Sequence, residues 1–320
     1  MKSTNRVSVV MPVFNGESFL TDSIESILNQ TYQDFEFIMV DDGSTDRSLA
    51  IISSYEQRDS RIRVLANEEN KGISYSTNLG ISHAQSPFIA LMDQDDICFP
   101  QRFEKQVEFL SLHPDISVLG ANSIVINKDG STRNRKTIVT SPGLIRWGLL
   151  FTNQIQNPTV MMRSDIFSDA SIKYEEYAPS QDYHFWLSIC DKFQITNLAE
   201  PLIYRRLHDQ NATDRIEQGE TPRRITIRKE YIERTMNFKI NDHTVASLLN
   251  ASLVQDNAEA IVLCKIILQW LKNNWLSNLA PEDRHYIKSK TLQMLNNIWY
   301  FRKRSPTLVP YLIQSWLWGI

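Results

Sequence analysis

The chain has 320 residues, enough for one large domain with a full core and a smaller appendage. Hydrophobic residues make up 42% of it and charged residues 22%, values typical of globular proteins. The net charge of −3 excludes binding of nucleic acid by bulk electrostatic attraction, so we expect no nucleic-acid partner. The charge is uneven, since residues 221–320 hold 14 Lys and Arg against 7 Asp and Glu, and residues 1–220 hold 20 against 30. This difference indicates two regions with different partners.

Residues 7–120 alternate short β-rich runs with helical patterns of apolar residues. The predicted strands are 7–11, 35–40, 62–65 and 88–92, and the predicted helices are 19–29, 48–58, 74–84 and 101–112. Strands that alternate with helices of about ten residues predict βαβ units and a mostly parallel sheet.

After residue 122 the alternation becomes irregular. The Asp129-Gly130 pair is typical of a tight hairpin turn. Further strands are predicted at 159–162 and 195–198, with a helix at 182–190 between them. From about residue 222 nearly everything is predicted helical, at 223–236, 244–249, 258–275 and 281–301.

Cysteine usage and the N-terminal sequence indicate a compartment. Cys98, Cys190 and Cys264 are far apart and form neither a CxxC pair nor a disulfide framework, which favours a reducing environment. The first apolar run is too short for a signal sequence, and no stretch approaches the roughly 18 apolar residues of a spanning helix. We therefore expect a cytoplasmic protein, peripheral at most at the inner face of the cell membrane.

Polar residues follow each of the first four predicted strands, at 12–15, 41–44, 67–72 and 93–96. In an open parallel sheet, ligands bind in the crevice beyond the carboxyl ends of the strands, so these turns should line one site. Several carboxylates that converge there need a cation for neutralisation. The sequence has no GxGxxG, no GxxxxGK[ST], no GxSxG and no HExxH motif, so other common nucleotide and hydrolase sites are not indicated.

Asp93 and Asp95 are the candidate metal ligands. In extended chain, residues two apart point to the same face, and hard carboxylate oxygens suit Mg²⁺ or Mn²⁺. The alternative is a solvated surface turn, but the apolar residues on both sides make an unusual setting for one. Ser44 or Thr45 is expected to cap the helix that follows.

The segments VSVVMPVFNG, FEFIMVDDGSTD, NKGISYSTNLGI and FIALMDQDDICFPQRFEKQ resemble, in order and spacing, the nucleotide-sugar glycosyltransferases of family 2. The resemblance covers about residues 6–210 and implies the A-type fold, an α/β fold with a Rossmann-like, mostly parallel sheet. The catalytic domain would span 1–215, with a nucleotide half at about 1–122 and an acceptor half at about 123–215. Residues 216–320 would form a C-terminal helical extension.

The resemblance also implies a donor site. The residues expected to bind the nucleotide sugar are Pro12, Phe14, Asn15, Asp41, Lys71, Gly72, Asn78 and Asp93. Asp41 would accept a hydrogen bond from uracil or its equivalent, and Lys71, Gly72 and Asn78 would approach the ribose or the phosphates. Asp42 and Ser44 would either shape the base pocket or form the turn.

The same resemblance implies a divalent cation, Mn²⁺ or Mg²⁺. Asp95 would ligate it directly, and Asp93 would hold the cation or the ribose. His208 would ligate the metal, contact phosphate or serve a structural role. Many members have a small residue where this chain has Gln94, which is expected to face away from the metal. Arg205 or Arg206 could meet phosphate, and the sequence does not say which.

Asp182 is the expected catalytic base on the acceptor side. It lies in the first turn of a predicted helix that Ser180 can cap, where the helix field stabilises a carboxylate. Acids also favour first turns for stability alone, but the resemblance implies a carboxylate base at this position. Gln181 replaces the acid that more commonly precedes it.

These features predict an inverting, metal-dependent glycosyltransferase. The donor would be a nucleotide-diphosphate sugar, with a UDP-sugar expected, and the acceptor a saccharide or lipid-linked molecule in cell-surface polysaccharide synthesis. One alternative is a nucleotidyltransferase, which would need a basic, Gly-rich first turn that 12–16 lacks. The other is a non-catalytic nucleotide-sugar-binding subunit, which would be expected to lack the metal carboxylates or the base.

The C-terminal segment suggests peripheral membrane contact. Arg302, Lys303 and Arg304 precede an aromatic and apolar stretch at 308–320, a pattern that suits an interfacial helix on an anionic surface. Alternatively, the apolar residues of this stretch pack onto the protein itself or onto a second subunit.

Overall fold

The computed structural model describes residues 7–135, 138–175, 180–208, 222–237, 239–272, 279–302, 306–308 and 310. The chain forms two compact units, Met1–Pro142 with Asn153–Ile216, and Gly143–Thr152 with Glu217–Ile320. The domain boundaries expected from the resemblance remain predictions.

The first half of the larger unit repeats strand and helix in strict alternation. Its elements are β1 (Val7–Val13), α1 (Leu20–Leu28), β2 (Phe35–Asp41), α2 (Ser48–Glu56), β3 (Ile62–Ala66), α3 (Ile73–His83) and β4 (Phe88–Leu91). β1 pairs in parallel with both β2 and β4, and β2 pairs in parallel with β3. The predicted alternation and parallel pairing of these strands are confirmed.

Burial explains why these segments fold as they do. β1 is buried along nearly its whole length, because helices cover both faces of a parallel strand. α1 buries Leu20, Ile24 and Ile27 at helical spacing against the sheet. Gly80 of α3 lies against β1 so closely that a Cβ there would come within 2.5 Å of the Val10 side chain. These contacts hold the carboxyl ends of β1, β2 and β4 at one edge.

The rest of the chain up to residue 207 extends this sheet. The elements are β5 (Ile97–Cys98), α4 (Arg102–Leu112), β6 (Ile116–Asn127), β7 (Thr132–Arg135), β8 (Met161–Arg163), α6 (Gln181–Ile189) and β9 (Gln194–Leu207). Between β7 and β8 the chain forms α5 (Pro142–Leu149), which from Gly143 onward belongs to the smaller unit. The strand order is β3-β2-β1-β4-β8-β6-β9-β5, with β7 beside β6. The parallel part lies in β1 to β4, and the remainder is mixed. This is the expected α/β fold class.

Several local predictions need correction. The strand expected at 159–162 begins only at Met161, because Asn157–Thr159, which contains Pro158, forms a short 3-10 helix. The strand expected at 195–198 continues to Leu207, because β6 pairs with it along that length and the register shifts near Pro201. The helix α5 was not predicted from the sequence. The hairpin at Asp129-Gly130 is confirmed, since β6 and β7 pair antiparallel around it.

The smaller unit contains the predicted C-terminal helices. They are α7 (Pro222–Met236), α8 (Asp242–Leu249), α9 (Asn257–Lys272) and α10 (Pro281–Phe301). Asn241 caps α8 by accepting a hydrogen bond from the Thr244 N–H at 2.8 Å. None of the described helices combines the length and apolarity that crossing a membrane requires. Most of the basic and aromatic stretch at 302–320 lies outside the described residues.

Candidate active site

The turns after β1 and β2 are bonded to each other. Asn15 has a positive φ of 47° and its N–H donates to Ser44 Oγ at 3.0 Å. Its side-chain carbonyl accepts from the Thr45 N–H at 2.8 Å. Ser44 and Thr45 therefore bind the neighbouring turn, and the expectation that one of them caps α2 is wrong. Asp46 Oδ1 instead accepts from the Ser48 N–H at the start of that helix.

Asp41 ends β2 with one bonded and one unbonded oxygen. Oδ2 accepts from the Ser44 N–H at 3.0 Å. Oδ1 is fully buried, as is nearly all of the residue at 2% exposure, and it has no hydrogen-bond partner among the described residues. A buried acceptor without a donor is costly, so this oxygen suits a ligand that supplies an N–H. Nearby, Pro12 is half-buried within β1 and the Phe14 ring is 42% exposed.

Asp42 organises the turn after β3. Its carboxylate accepts from Asn67 Nδ2 at 2.8 Å and from the backbone N–H groups of Lys71 and Gly72, both at 2.9 Å. Gly72 has a φ of 90°, a backbone conformation that favours glycine. The Lys71 ammonium lies 5.0 Å from the centre of the Tyr75 ring. The sequence left two roles open for Asp42, shaping the base pocket or forming a turn. These hydrogen bonds favour the role in the turn.

Asn78 differs from its expected position at the ribose or phosphates. Its Nδ2 donates to the Tyr174 carbonyl at 2.7 Å, and its Oδ1 accepts from the Tyr174 N–H at 2.9 Å. The amide therefore holds the segment that precedes α6, and its contact with the ribose or phosphates stays a prediction. Sequence could not show this pairing, because the two residues are 96 positions apart.

The acidic turn follows β4 directly. β4 ends at Leu91 and residues 94–95 form a turn, so the expected extended geometry of Asp93 and Asp95 is wrong. The turn instead brings ligand oxygens of Asp93, Asp95 and Asp96 within 4.8 Å of one another. Asp96 was missed as a candidate, although it belongs to the same acidic run. Three clustered carboxylate oxygens suit a hard divalent cation.

Burial and repulsion between like charges raise the pKa values of Asp93 and Asp96 in this cluster. Burial, and then the negative charge of Asp95, raise the pKa of Asp93 to about 7, and the charge of Asp182 raises it further. Burial and the charges of Asp95 and Asp93 also raise the pKa of Asp96 well above its ordinary value. Like charges held together in a desolvated site favour a bound cation or proton. The residues present therefore fit a divalent cation.

His208 lies at the acidic turn. Its Nε2 is 2.8 Å from Asp95 Oδ2, and its ring centre is 4.7 Å from that of Phe19. The side chain is 9% exposed. This pairing places an imidazole nitrogen beside the expected metal ligand, where it could either join a cation or orient the carboxylate.

Gln94 faces the turn that follows β1. Its Oε1 accepts from the Phe14 N–H at 2.8 Å, and its Nε2 donates to the Phe14 carbonyl at 3.0 Å. A Cβ on Gly16 would come within 2.4 Å of this amide, so the contact also requires glycine there. Gln94 thus ties the acidic turn to the first turn of the expected base pocket.

Asp182 lies in the first turn of α6. Its Oδ2 accepts from Asn153 Nδ2 at 2.8 Å, and its Oδ1 accepts from the Tyr183 N–H. Ser180 is the N-cap residue of this helix, but its hydroxyl makes no capping bond, contrary to expectation. Because the Asp182 charge raises the pKa of both Asp93 and Tyr174, the expected base lies near the acidic cluster. No sequence signal identified Asn153 as its partner.

The chain is similar to known glycosyltransferases. The model of glycosyl transferase family 2 matches residues 8–169. An uncharacterized glycosyltransferase of Haemophilus influenzae is 33% identical over 237 residues, 70% of this chain and 73% of that protein. The chain belongs to glycosyl transferase family 2. The O-antigen biosynthesis glycosyltransferase WbnJ of Escherichia coli is 30% identical to this chain. The aligned region covers 66% of this chain and 83% of WbnJ.

Solved structures share the fold. Staphylococcus aureus TarS 1–349, in complex with UDP-GlcNAc, superposes with a TM-score of 0.61 at 17% identity, covering 98% of this family member and 92% of that chain. The mannosyltransferase PcManGT of Pyrobaculum calidifontis, in complex with GDP-Man and Mn²⁺, superposes with a TM-score of 0.54 at 13% identity. The superposition covers 99% of this chain and 88% of PcManGT. The A-type fold expected of the family is confirmed.

Proposed function

We propose that this family 2 glycosyltransferase moves a sugar from a UDP-sugar to a hydroxyl of a saccharide or lipid-linked acceptor, with inversion. The observation that carries the proposal is the cluster of Asp93, Asp95 and Asp96, whose ligand oxygens lie within 4.8 Å of one another. The negative charge of Asp182 also acts on this cluster, since it raises the pKa of Asp93. In this proposal the acidic turn would bind a cation, and the separate carboxylate of Asp182 would act on the acceptor hydroxyl. A role in surface polysaccharide synthesis is supported by the name of the relative WbnJ.

The donor assignment is supported by Asp41. Its buried, unbonded Oδ1 could accept the N–H that a uracil ring presents, while Oδ2 stays bonded to the Ser44 N–H. The exposed Phe14 ring and the backbone at Asn15 lie next to the same turn pair. TarS was solved with UDP-GlcNAc, which makes UDP-sugars the first donors to test.

A divalent cation is part of the proposal. Asp93, Asp95 and Asp96 would hold Mn²⁺ or Mg²⁺, with His208 beside Asp95, and PcManGT was solved with Mn²⁺. When bound, such a cation neutralises charge on the departing nucleoside diphosphate.

The chain's own residues would act in one displacement. Asn153 and the Tyr183 N–H orient the Asp182 carboxylate, which takes the proton of the acceptor hydroxyl. The acceptor oxygen forms a bond to the anomeric carbon as the bond from that carbon to the phosphate oxygen breaks. A single attack from the opposite side inverts the configuration and leaves no covalent enzyme intermediate.

A panel of nucleotide sugars with Mn²⁺ tests the function. UDP-sugars and GDP-mannose would be incubated with the protein and a mixture of saccharide and lipid-linked acceptors, and the products identified by mass spectrometry. Release of a nucleoside diphosphate together with an extended acceptor supports the proposal. Release of pyrophosphate would instead indicate a nucleotidyltransferase, and binding without any product would indicate a non-catalytic subunit.

Loss of the Gln94 side chain is expected to weaken UDP binding. Gln94→Ala removes two hydrogen bonds to Phe14, each contributing about 0.5–1.5 kcal/mol, so affinity should fall by up to roughly 5- to 150-fold as the first turn loosens. Titration calorimetry with UDP and Mn²⁺ measures the change. Gln57→Ala, at an exposed helix end, serves as control, and an unchanged UDP affinity in Gln94→Ala would contradict the coupling of the two turns.

Cation binding should stabilise the fold in a pH-dependent way. The pKa of Asp93 is raised from 3.8 to about 7, so folding keeps a proton that the unfolded chain releases, and stability falls as pH rises through this window. A bound cation replaces that proton. Below pH 7 the proton competes with it, so Mn²⁺ affinity should be about 30-fold lower at a pH roughly 1.5 units below that pKa than well above it.

The measurement is the thermal midpoint with and without Mn²⁺ across this pH range. The increase caused by Mn²⁺ should be larger at the high end, and Asp95→Asn should largely abolish it. An increase of equal size at every pH would argue against the acidic turn as the site.

Peripheral membrane contact through the C-terminal segment is also proposed. It is supported by the excess of Lys and Arg in residues 221–320, with Arg302 the last described residue of the basic run.

A further inference from the structure

A buried arginine of the smaller unit is bonded to the chain shortly before the chain returns to the larger unit. Arg228 of α7 is 1% exposed, and its Nη2 donates to the Phe151 carbonyl at 2.7 Å. Both residues belong to the smaller unit, which takes in Gly143–Thr152 and Glu217–Ile320. Because a guanidinium is costly to remove from water unless its donors are bonded, the burial of Arg228 ties α7 to this carbonyl.

The carbonyl belongs to a closed turn at the end of α5. The N–H groups of Phe151 and Thr152 both donate to the Gly148 carbonyl, at 2.9 and 3.0 Å. Leu149 and Leu150, within the same turn, are fully buried. The backbone from residue 148 to residue 152 is therefore held by its own hydrogen bonds, by apolar burial and by the arginine.

The next residue along the chain is the partner of the proposed base. Asn153 is the first residue of the returning segment of the larger unit, and its Nδ2 donates to Asp182 Oδ2 at 2.8 Å. Its Oδ1 accepts from the Ile155 N–H at 3.0 Å, which fixes the orientation of the amide. Only Thr152 separates this residue from the carbonyl that the arginine holds. A shift of the preceding turn would thus reach the group that orients the carboxylate.

We propose that Arg228 is a positioning residue for Asp182, acting through the Phe151 carbonyl and the Asn153 amide. The inference rests on the proposed function, in which Asp182 takes the proton of the acceptor hydroxyl. A misplacement of about 1 Å caused by a change far from the chemistry can cost about 100-fold in rate. Donor binding involves neither Asn153 nor Asp182, so Arg228 acts on the catalytic step alone. The alternative is that Arg228 stabilises only the smaller unit.

Kinetics with a binding control test the role of Arg228. Nucleoside diphosphate released from UDP-sugars and GDP-mannose, with Mn²⁺ and the acceptor mixture described above, would be measured for the wild type, Arg228→Gln and Arg228→Lys. Calorimetry with UDP and Mn²⁺ counts the binding sites, so that kcat is expressed per folded site. Arg228→Gln should lower kcat about 10- to 100-fold and leave UDP affinity within about twofold. Arg228→Lys should recover part of the loss, because an ammonium still donates to a carbonyl. Arg234→Gln, at an exposed position of the same helix, is the matched control.

Coupling to Asn153 separates positioning from stability. In an Asn153→Ala background, Arg228→Gln should change kcat by no more than about twofold, because the amide through which it acts is gone. Hydrogen exchange gives a second readout that needs no turnover. The N–H groups of Ile155 and Tyr183 are bonded to Asn153 Oδ1 and Asp182 Oδ1, and they should exchange about 2- to 10-fold faster in Arg228→Gln.

A second pair of variants covers the case in which Arg228→Gln does not fold. Thr152→Gly leaves the arginine in place and loosens the one residue between the two contacts, whereas Thr152→Ala removes the same side chain and keeps the backbone restricted. The kcat of Thr152→Gly should be about 2- to 5-fold lower than that of Thr152→Ala, with equal UDP affinity.

Several outcomes would overturn the role of Arg228. An unchanged kcat per UDP site in Arg228→Gln, or an undiminished further loss in the Asn153→Ala background, shows that the arginine does not act through this amide. Equal kcat in the two Thr152 variants, or faster exchange confined to the smaller unit, shows that its effect is on stability alone. A wild type that releases no nucleoside diphosphate, or a fully active Asp182→Asn, refutes the proposed function itself, which is a different result from a failure of Arg228 alone.

Discussion

Asp182→Asn is expected to lower the rate of transfer by about 10²- to 10⁴-fold and to leave UDP affinity within about twofold. The amide keeps the shape of the carboxylate, but it cannot take a proton from the acceptor hydroxyl. The loss therefore belongs to the transition state, in which the acceptor oxygen attacks, and not to the ground-state binding of the donor. Initial rates at saturating donor, together with calorimetry for UDP, measure the two quantities separately.

Two further variants sharpen this test. Asp115→Asn, at an exposed position before β6, changes the same residue type away from the site and should keep full activity. Asn153→Ala removes the amide that holds Asp182 Oδ2 and should give a smaller loss than Asp182→Asn, since the carboxylate remains. Full activity in Asp182→Asn would require a different base.

Asp95→Asn is expected to reduce Mn²⁺-dependent UDP binding by about 100-fold or more, since losing even a supporting partner of a metal ligand typically costs 10- to 100-fold. The variant should fold well, because it removes a negative charge that raises the pKa of Asp93 and Asp96. Calorimetry with and without Mn²⁺ tests this, and UDP binding without metal is the internal control.

The contrast between the two aspartates is the decisive result. Asp95→Asn should lose metal-dependent donor binding, whereas Asp182→Asn should retain it and lose only turnover. An equal loss of UDP affinity in both variants would contradict the assignment of Asp95 to cation binding and of Asp182 to deprotonation of the acceptor.

Much of the first half of the sheet is predictable from sequence. The predicted bounds of β1 to β4 and α1 to α4 lie within about two residues of those in the structure, because apolar periodicity in this region reflects burial along each segment. The two-residue strand β5 was not predicted. The acidic turn was also located, since an apolar strand that ends in several acids stands out in one dimension. Asp96 was nevertheless missed, because an extended chain would have turned it away from its neighbours.

The second half of the sheet shows where sequence reasoning stopped. β9 runs for 14 residues through Pro201, and its length comes from pairing with β6 and β5, which its own sequence does not reveal. α5 begins at Pro142 and contains two glycines, which weakens any helical signal.

The sequence by itself determined the alternation of β1 to β4 with α1 to α4, the turns that carry polar residues and the family resemblance. The tertiary structure decided how those residues are used: Asn78 binds the Tyr174 backbone, Gln94 binds Phe14, and Arg206 rather than Arg205 is engaged by the acidic turn. These choices depend on contacts between residues about 80 to 110 positions apart. Local periodicity carries no information on such pairings, because they arise only when the sheet brings its strand ends together.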